Sequence, residues 1–272
     1  MVVSSGRRTN SSTRDLEADL RAAIGGEVRF DEISKQLYST DASIYQMEPV
    51  GVVIPRDSND VSAVLEIANK NGVSVLPRGG GTGLSGQTVN HAIVVDFSKY
   101  MFNVREINKE EQWVRTQPGV TIDDLNRQLR PSGLFFTSDP STSSRANIGG
   151  AMGNNSCGAH SIVYGKTVDH VKEMSVVLSD GTRTTFSQLS AGMLDMKLKS
   201  ESLEGHIYSQ INEIARNAAG EVDRRFPKIL RRVGGYNLDL IQNSNDLNLA
   251  KLMVGSEGTL AAVTEAKLNI EP

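Results

Sequence analysis

The sequence predicts an α+β fold in two lobes, a small β-α-β lobe followed by a larger lobe with a mostly antiparallel sheet flanked by helices. Short β-branched segments alternate with a helical segment in the first hundred residues. Strand-like segments separated by turns follow, together with a polar helical stretch. The chain has 272 residues, which exceeds the about 100–150 residues of most domains. Together these observations favour two lobes.

We expect residues 1–15 to form a disordered polar tail, followed by a first lobe over residues 16–103. Leu16–Ile24 has a helical apolar face and precedes two glycines that end a helix. Asp57 can cap a second helix, whose apolar residues recur at helical spacing. The predicted strands are Val50–Ile54, Val73–Leu76 and Ala92–Phe97. A strand-helix-strand order of this length predicts a small, partly parallel sheet.

The second lobe is predicted over residues 104–272. Thr121 caps a helix that ends near Leu129. Residues 137–165 show neither helical nor strand periodicity, which in a domain usually marks a functional loop. Residues 182–248 are polar and helical in parts and predict an insertion packed on one side of the sheet. The predicted strands are Gln112–Thr116, Val171–Leu178 and Leu260–Ile270.

Composition excludes several classes of protein. The 29 basic and 32 acidic side chains give a net charge of −3, so no basic excess indicates a nucleic-acid partner. No apolar stretch is long enough to cross a bilayer, and the first residues lack the apolar core of a signal peptide. The single cysteine, Cys157, excludes an internal disulfide and favours a reducing compartment. We therefore expect a cytoplasmic protein, with a peripheral position at the inner membrane as an alternative.

The densest motif is Pro77–Gln87, which has five glycines in eleven residues directly after a predicted strand. Such a loop can turn several backbone N–H groups toward one phosphate. The motif lacks the lysine of a Walker loop. Gly81–Gly86 matches the letters of a dinucleotide fingerprint, but the segment that follows is strand-like where that fingerprint needs a helix. The loop therefore predicts a pyrophosphate site of another kind.

Two further glycine clusters carry polar groups. Ala146–Gly158 combines small residues with Asn154, Asn155 and Ser156, which suit the edge of a flat heterocycle, although a glycine-rich buried crossing would look similar. In Gly255–Leu260, the carboxylate of Glu257 could act as a general base or as an acceptor in a turn.

Cysteine and histidine chemistry is less well supported by the sequence. Cys157 and His160 are three residues apart, but a thiol nucleophile also needs an oriented base and an oxyanion site, so a small buried thiol is the favoured interpretation. The four histidines show none of the spacings of a structural zinc site, and we expect no metal.

Eight clusters, taken in order, resemble the FAD-binding domain of the vanillyl-alcohol oxidase and p-cresol methylhydroxylase (PCMH-type) flavoprotein family. They are Pro77–Gln87, Gln117–Val120, Asp139–Ser141, Ile148–Gly150, Asn154–Gly158, Tyr164–Gly165, Gly234–Asn237 and Gly255–Leu260. Within that family the chain is most similar to FAD-linked D-lactate, glycolate and D-2-hydroxyglutarate dehydrogenases. Its Asn-Asn-Ser-Cys-Gly variant resembles long members fused to an iron–sulfur region.

The resemblance implies a set of cofactor-binding residues. Around the pyrophosphate these are Pro77, Arg78, Gly79, Gly80, Gly81, Thr82, Gly83, Ser85 and Gly86. Along the flavin and its ribityl chain they are Pro118, Asp139, Pro140, Ser141, Thr142, Ile148, Gly149, Gly150, Asn154, Asn155, Ser156, Gly158, Tyr164 and Gly165. Near the adenine or the central part of FAD they are Glu257, Gly258 and Val263.

The resemblance also implies a reaction. Covalent members of the wider family carry a histidine where this chain has Thr82, so FAD is expected to bind non-covalently. A 2-hydroxy acid would lose a hydride to flavin N5, and a separate acceptor or an iron–sulfur region would receive the electrons. No catalytic residue is assigned, because the substrate or cap domain of such enzymes is absent from this chain. The alternatives are a sugar-acid or aldonolactone oxidase, a flavin subunit of a redox complex, and a non-catalytic FAD-binding module.

Overall fold

The computed structural model describes residues 10–241 and 247–272, which form two β-sheets with helices packed around them. The first sheet has the strand order β1-β2-β4-β3. Its strands are β1 (Glu27–Arg29), β2 (Gly51–Ile54), β3 (Val75–Arg78) and β4 (Ile93–Asp96). Strand β4 pairs in parallel with β2 and β3, whereas β1 is antiparallel to β2. The predicted small, partly parallel sheet is therefore confirmed.

Helix α3 (Ser58–Lys70) connects β2 to β3 and explains their parallel arrangement. Its N-cap is Asp57, as predicted, whose carboxylate accepts hydrogen bonds from the N–H groups of Asn59 and Asp60. A shorter helix, α2 (Glu32–Tyr38), follows β1 in a segment that the sequence did not identify as regular.

Helix α1 spans Asn10–Ala23, so the predicted tail is wrong for residues 10–15, and residues 1–9 lie outside the described part of the chain. Leu16 and Leu20 are fully buried in a cluster that includes Val61 and Val64 of α3. This packing stabilises the helix enough to extend it past the apolar segment that the sequence indicated.

The second sheet has the order β5-β6-β9-β7-β8 and is antiparallel throughout. Its strands are β5 (Val104–Asn108), β6 (Trp113–Thr116), β7 (Val171–Val177), β8 (Arg183–Phe186) and β9 (Ala262–Asn269). Strand β9 lies in the centre and alternates strictly between buried and half-buried residues. The α+β fold class predicted from the sequence is confirmed.

Helices surround this sheet and occupy two regions that were predicted differently. They are α4 (Ile122–Leu129), α5 (Ile148–Gly153), α6 (Ser161–Tyr164), α7 (Thr167–His170), α8 (Ala191–Leu198), α9 (Leu203–Arg225) and α10 (Leu249–Met253). Residues 137–165 are thus not an uninterrupted loop, because α5 and α6 lie within them. The insertion predicted at 182–248 begins with β8, a strand of the sheet, and becomes helical only from α8. Residues 242–246 of the insertion lie outside the described part of the chain.

The two lobes share a hydrophobic core. Val177 of β7 and Ala262 of β9 belong to the same buried cluster as Val53, Ile93 and Val95 of the first sheet. The strands divide between Asp96 and Val104, but this common packing makes the lobes one body in the described residues. The predicted boundary near residue 103 would divide the chain into two separate lobes, and that division stays a prediction.

Candidate functional site

A cleft of about 560 Å³ lies between the lobes. Its first wall is the glycine loop that follows β3. Its second wall is formed by α5 and the segment after it, and the third by the turn that precedes β9. The cleft therefore brings together three glycine-rich clusters that are far apart in the sequence.

The glycine loop offers backbone donors to this cleft. Among residues 10–241 and 247–272, the N–H groups of Gly79–Gly83 donate no hydrogen bond to the protein. A Cβ on Gly80 would overlap the carbonyl oxygen of Arg145, and Gly81 has φ +63°, a conformation that favours glycine. The glycines are thus required sterically, and the free amides form a site for an anion.

The side chain of Arg78 holds the loop rather than a ligand. Its guanidinium donates to the carbonyl oxygens of Thr40 (2.7 Å), Thr88 (2.9 Å) and Tyr38 (3.1 Å), and it stacks on the Tyr38 ring. Burial lowers the pKa of Arg78 from its ordinary value. The three carbonyls fix the shape of the loop before any ligand binds.

The second wall is packed against the first by Asn147, which directly precedes α5. The Asn147 Nδ2 donates to the carbonyl of Gly119 at 2.5 Å, and its Oδ1 lies beside Gly79 without a hydrogen-bond partner. A Cβ on Gly149 would come within 2.7 Å of Pro118. Close contact between these segments therefore depends on small residues and one buried carboxamide.

Asn155 contributes a second buried carboxamide. Its Oδ1 accepts a hydrogen bond from the N–H of Val168 at 3.0 Å, whereas its Nδ2 has no partner. Asn155 is fully buried, and its φ of +52° is tolerated by asparagine better than by most residues. Unpaired buried polar atoms are costly. Both asparagines line the cleft, so a polar, non-charged ligand edge suits this wall.

The third wall is a turn that contains Glu257 and Gly258. Glu257 has φ +51°, its side chain is exposed, and its carboxylate lies 3.5 Å from the Nε2 of Gln87. A Cβ on Gly258 would approach Pro77 to 3.1 Å. The turn therefore closes against the start of the glycine loop.

Most residues assigned by sequence line this cleft. They are Pro77, Arg78, Gly79, Gly80, Gly81, Thr82, Gly83, Ser85, Pro118, Pro140, Ser141, Thr142, Gly149, Gly150, Asn154, Asn155, Ser156, Glu257, Gly258 and Val263. Their individual contacts with a cofactor stay predictions.

Six assigned residues are not among those that line the cleft. They are Gly86, Asp139, Ile148, Gly158, Tyr164 and Gly165. The side chain of Ile148 is fully buried in the core. The Asp139 carboxylate binds the ring of His160, and Tyr164 packs edge-on against Phe135. Gly86 faces the Tyr45 ring. The cofactor contacts assigned to these six residues stay predictions.

Behind the second wall, His170 holds the segment that carries Tyr164. Its Nε2 lies 2.9 Å from the Tyr164 carbonyl and 2.8 Å from Thr137 Oγ1. Because a carbonyl only accepts, Nε2 carries the proton. Burial lowers the pKa of His170 below its ordinary value of 6.5, so the ring is neutral near pH 7.

The arrangement around Cys157 does not form a nucleophile-base pair. The His160 Nδ1 is 2.7 Å from Asp139 Oδ2, and within the described residues no hydrogen bond joins His160 to Cys157. The thiol-hydrolase alternative has no geometric support.

Several lining residues are not among the cofactor-binding residues that the resemblance implied. They are Leu84, Gln87, Thr88, Phe97, Ala146, Asn147, Ala151, Met152, Gly153, Cys157, Val233, Gly234, Met253, Ser256 and Ala261. Asn147 lies inside the predicted cluster Ala146–Gly158 and directly before Ile148–Gly150, and both positions were available signals. Val233 and Gly234 come from the insertion, and only the resemblance of Gly234–Asn237 pointed to that segment.

The part of the chain that the structure describes contains neither a metal-binding cluster nor a membrane-spanning helix. No group of three His, Cys, Asp or Glu side chains is placed to bind a metal ion. No helix in residues 10–241 and 247–272 has both the length and the apolar character needed to cross a membrane.

Free loop amides, buried carboxamides and a glycine-lined cleft between two sheets define a domain that binds a nucleotide cofactor. The chain belongs to the FAD binding domain family, whose model matches residues 49–187. FAD is therefore the cofactor, and the two unpaired carboxamide atoms and the free amides are observations that fit it. The resemblance found in the sequence is confirmed.

The relatives extend well beyond this chain. A D-2-hydroxyglutarate dehydrogenase of Pseudomonas putida is 39% identical over 94% of this chain, which covers 26% of that protein. Glycolate oxidase subunit GlcD of Bacillus subtilis is 31% identical over 96% of this chain, which covers 45% of the relative. An alkyldihydroxyacetonephosphate synthase structure matches the whole chain with a TM-score of 0.64 at 18% identity, over 43% of its own length. That structural likeness shows the shared fold.

Proposed function

We propose that this FAD-binding domain serves an oxidoreductase that removes two electrons from a small 2-hydroxy acid such as D-2-hydroxyglutarate, D-lactate or glycolate. The observation that carries the proposal is the cleft, whose free amides and neutral carboxamides suit FAD. The relatives named for 2-hydroxy acids are similar over nearly the whole of this chain.

The residues of this chain would bind and orient the cofactor. The amides of Gly79–Gly83 would hold the pyrophosphate without a cationic side chain. The Nδ2 of Asn155 would donate to an acceptor of the cofactor, and the Oδ1 of Asn147 would accept from a hydroxyl or amino group. Thr82 has no nucleophilic nitrogen, so attachment would be non-covalent. When bound, FAD supplies the two-electron acceptor of the reaction.

The substrate side of the site is proposed to come from outside this chain. Within the described residues, the cationic side chain that lines the cleft, Arg78, is committed to three backbone carbonyls. A 2-hydroxy acid needs a group that binds its carboxylate. We therefore propose that a cap domain supplies this group, and that a separate acceptor or an iron–sulfur region receives the electrons.

One experiment tests both levels of the proposal. The purified chain is titrated with FAD, and the full gene product loaded with FAD is then mixed anaerobically with D- and L-2-hydroxy acids. Loss of the blue absorption band of oxidised flavin with a D-2-hydroxy acid is expected. FAD binding without reduction by any 2-hydroxy acid in the full gene product would contradict the proposal and favour a non-catalytic module. Reduction by aldonolactones alone would favour the sugar-acid oxidase alternative. A cytoplasmic location stays a prediction that cell fractionation can test.

A further inference from the structure

Residues 227–241, here called the strap, follow α9 and contact two walls of the cleft. Val233 and Gly234 of the strap line the cleft directly. The strap belongs to the insertion, to which the cofactor-binding residues assigned above give no role. Its contacts with the two opposite walls indicate what it does.

One end of the strap is fixed to the third wall. The Nδ2 of Asn237 donates to the carbonyl oxygens of Val254 (2.7 Å) and Lys251 (3.1 Å), and Asn237 is 1% exposed. The hydroxyl of Tyr236 lies 2.8 Å from the Oγ1 of Thr259. A buried carboxamide with two carbonyl partners is an anchor that is costly to break.

The other end reaches the second wall through exposed contacts. Nη2 of Arg231 donates to the carbonyl of Gly158 at 2.9 Å, and Nζ of Lys166 donates to the carbonyl of Leu230 at 3.2 Å. Both contacts are open to solvent, so they exchange with water more readily than the buried hydrogen bonds of Asn237. This side of the strap is therefore the side that can open, and we call these two contacts the latch.

The strap contains a flexible point that one ion pair crosses. The guanidinium of Arg232 bonds Asp239 at 2.5 Å and lies over the ring of Phe226, so rotation at the glycines between Arg232 and Asp239 has to break this ion pair. Gly234 and Gly235 lie between latch and anchor, with Gly235 at φ +79° and nothing within 4 Å of either Cβ position. Two unobstructed glycines allow the backbone rotation that a hinge needs.

We propose that the strap is a clasp that closes over FAD and sets the rate at which the cofactor leaves. Asn237 anchors it, Gly234–Gly235 is its hinge, and Arg231 with Lys166 forms the latch. Arg231 is a positioning residue, because it acts by holding Val233 and Gly234 over the cleft. The proposal rests on FAD binding and not on the identity of the substrate.

The first test measures FAD dissociation from the full chain, followed by recovery of flavin fluorescence after rapid dilution. The variant Arg231→Ala should accelerate dissociation about fivefold, and Arg231→Ala combined with Lys166→Ala about 25-fold, if each contact contributes about as much as one hydrogen bond. Association should slow by less than about twofold, and Arg231→Lys should restore part of the retention.

The matched control is Arg224→Ala, which removes an exposed arginine of α9 that pairs with Glu221. It should leave dissociation unchanged. A double latch variant that keeps its thermal stability and releases FAD at the wild-type rate would overturn the proposal. So would a wild-type chain that binds no FAD.

The second test uses trypsin, because the strap carries Lys228, Arg231 and Arg232. FAD should slow cleavage within the strap at least about fivefold, while cleavage after Arg21 on α1 keeps its rate; the sites are identified by mass spectrometry. Equal strap cleavage with and without FAD would show that the cofactor does not close the strap, which contradicts the proposal.

Discussion

The first and second walls of the cleft prepare the same site by different means. The glycine loop after β3 presents backbone amides and depends on the absence of side chains at four positions, which are Gly79, Gly80, Gly81 and Gly83. The second wall depends on particular side chains, since Asn147, Asn155 and His170 each make or offer specific hydrogen bonds. Both walls are sensitive to added atoms, and the second wall is sensitive to lost side-chain partners as well.

The largest effect is expected from adding a methyl group to the first wall. In Gly80→Ala the new Cβ meets the backbone carbonyl of Arg145, which cannot rotate away as a side chain would. FAD affinity should fall by about 10- to 100-fold, the equivalent of about 1–3 kcal/mol of overpacking. Fluorescence titration measures it. Gly192→Ala on α8, where the added Cβ meets nothing within 4 Å, is the control and should bind FAD normally.

A somewhat smaller effect is expected from removing a partner in the second wall. Asn147→Ala deletes the hydrogen bond to Gly119 and leaves that carbonyl unpaired. The free energy of unfolding should fall by about 1–3 kcal/mol, measured by denaturant titration. If it changed by less than about 0.5 kcal/mol, the carboxamide would not be what joins the two walls.

The second wall should also respond to pH, whereas the glycine loop offers no titrating side chain besides Arg78. The folded-state pKa of His170 is lowered from 6.5 by burial, so the unfolded chain takes up a proton first as pH falls. The contribution of His170 to stability is complete above pH 6.5 and is lost as pH falls below it. The wild-type melting temperature should therefore decrease more steeply below pH 6.5 than that of His170→Gln.

The smallest effect is expected from replacing a glycine outside the cleft, for comparison with Gly80 inside it. Gly220 lies within α9, and a Cβ there would meet nothing within 4 Å. Gly220→Ala should raise the free energy of unfolding by about 0.5–1 kcal/mol, because alanine loses less backbone entropy in a helix. FAD affinity should not change. Destabilisation by this variant would show that position 220 itself requires glycine.

The sequence predicted those parts of the fold that depend on interactions between residues close together in the chain. The caps Asp57 and Thr121, and the alternation in β9, were read from neighbouring residues and are confirmed. The start of α1 and the strand β8 were not, because the first depends on packing against α3 and the second on pairing with β7.

The residues of the candidate site divide in the same way into those that the sequence identified and those that it did not. Glycine density identified the loop of Gly79–Gly83, since a property of single residues creates it. Asn147 and the strap were not assigned to the cofactor site. Their contacts with Gly119, Gly158 and Thr259 cannot be derived from sequence spacing. Asp139 and Tyr164 were assigned to the flavin by resemblance, and this assignment stays a prediction; in the structure Asp139 contacts His160 and Tyr164 contacts Phe135.

The central position of β9 has a consequence for biosynthesis. Strands β6 and β7 do not pair with each other; each pairs with β9, which is made after both of them and after the whole insertion. While a ribosome is still extending the chain, both strands carry open edges that can pair wrongly or recruit other chains. Joining such distant segments also closes long loops, which slows folding. The cofactor cleft should therefore be completed only after β9 has left the ribosome.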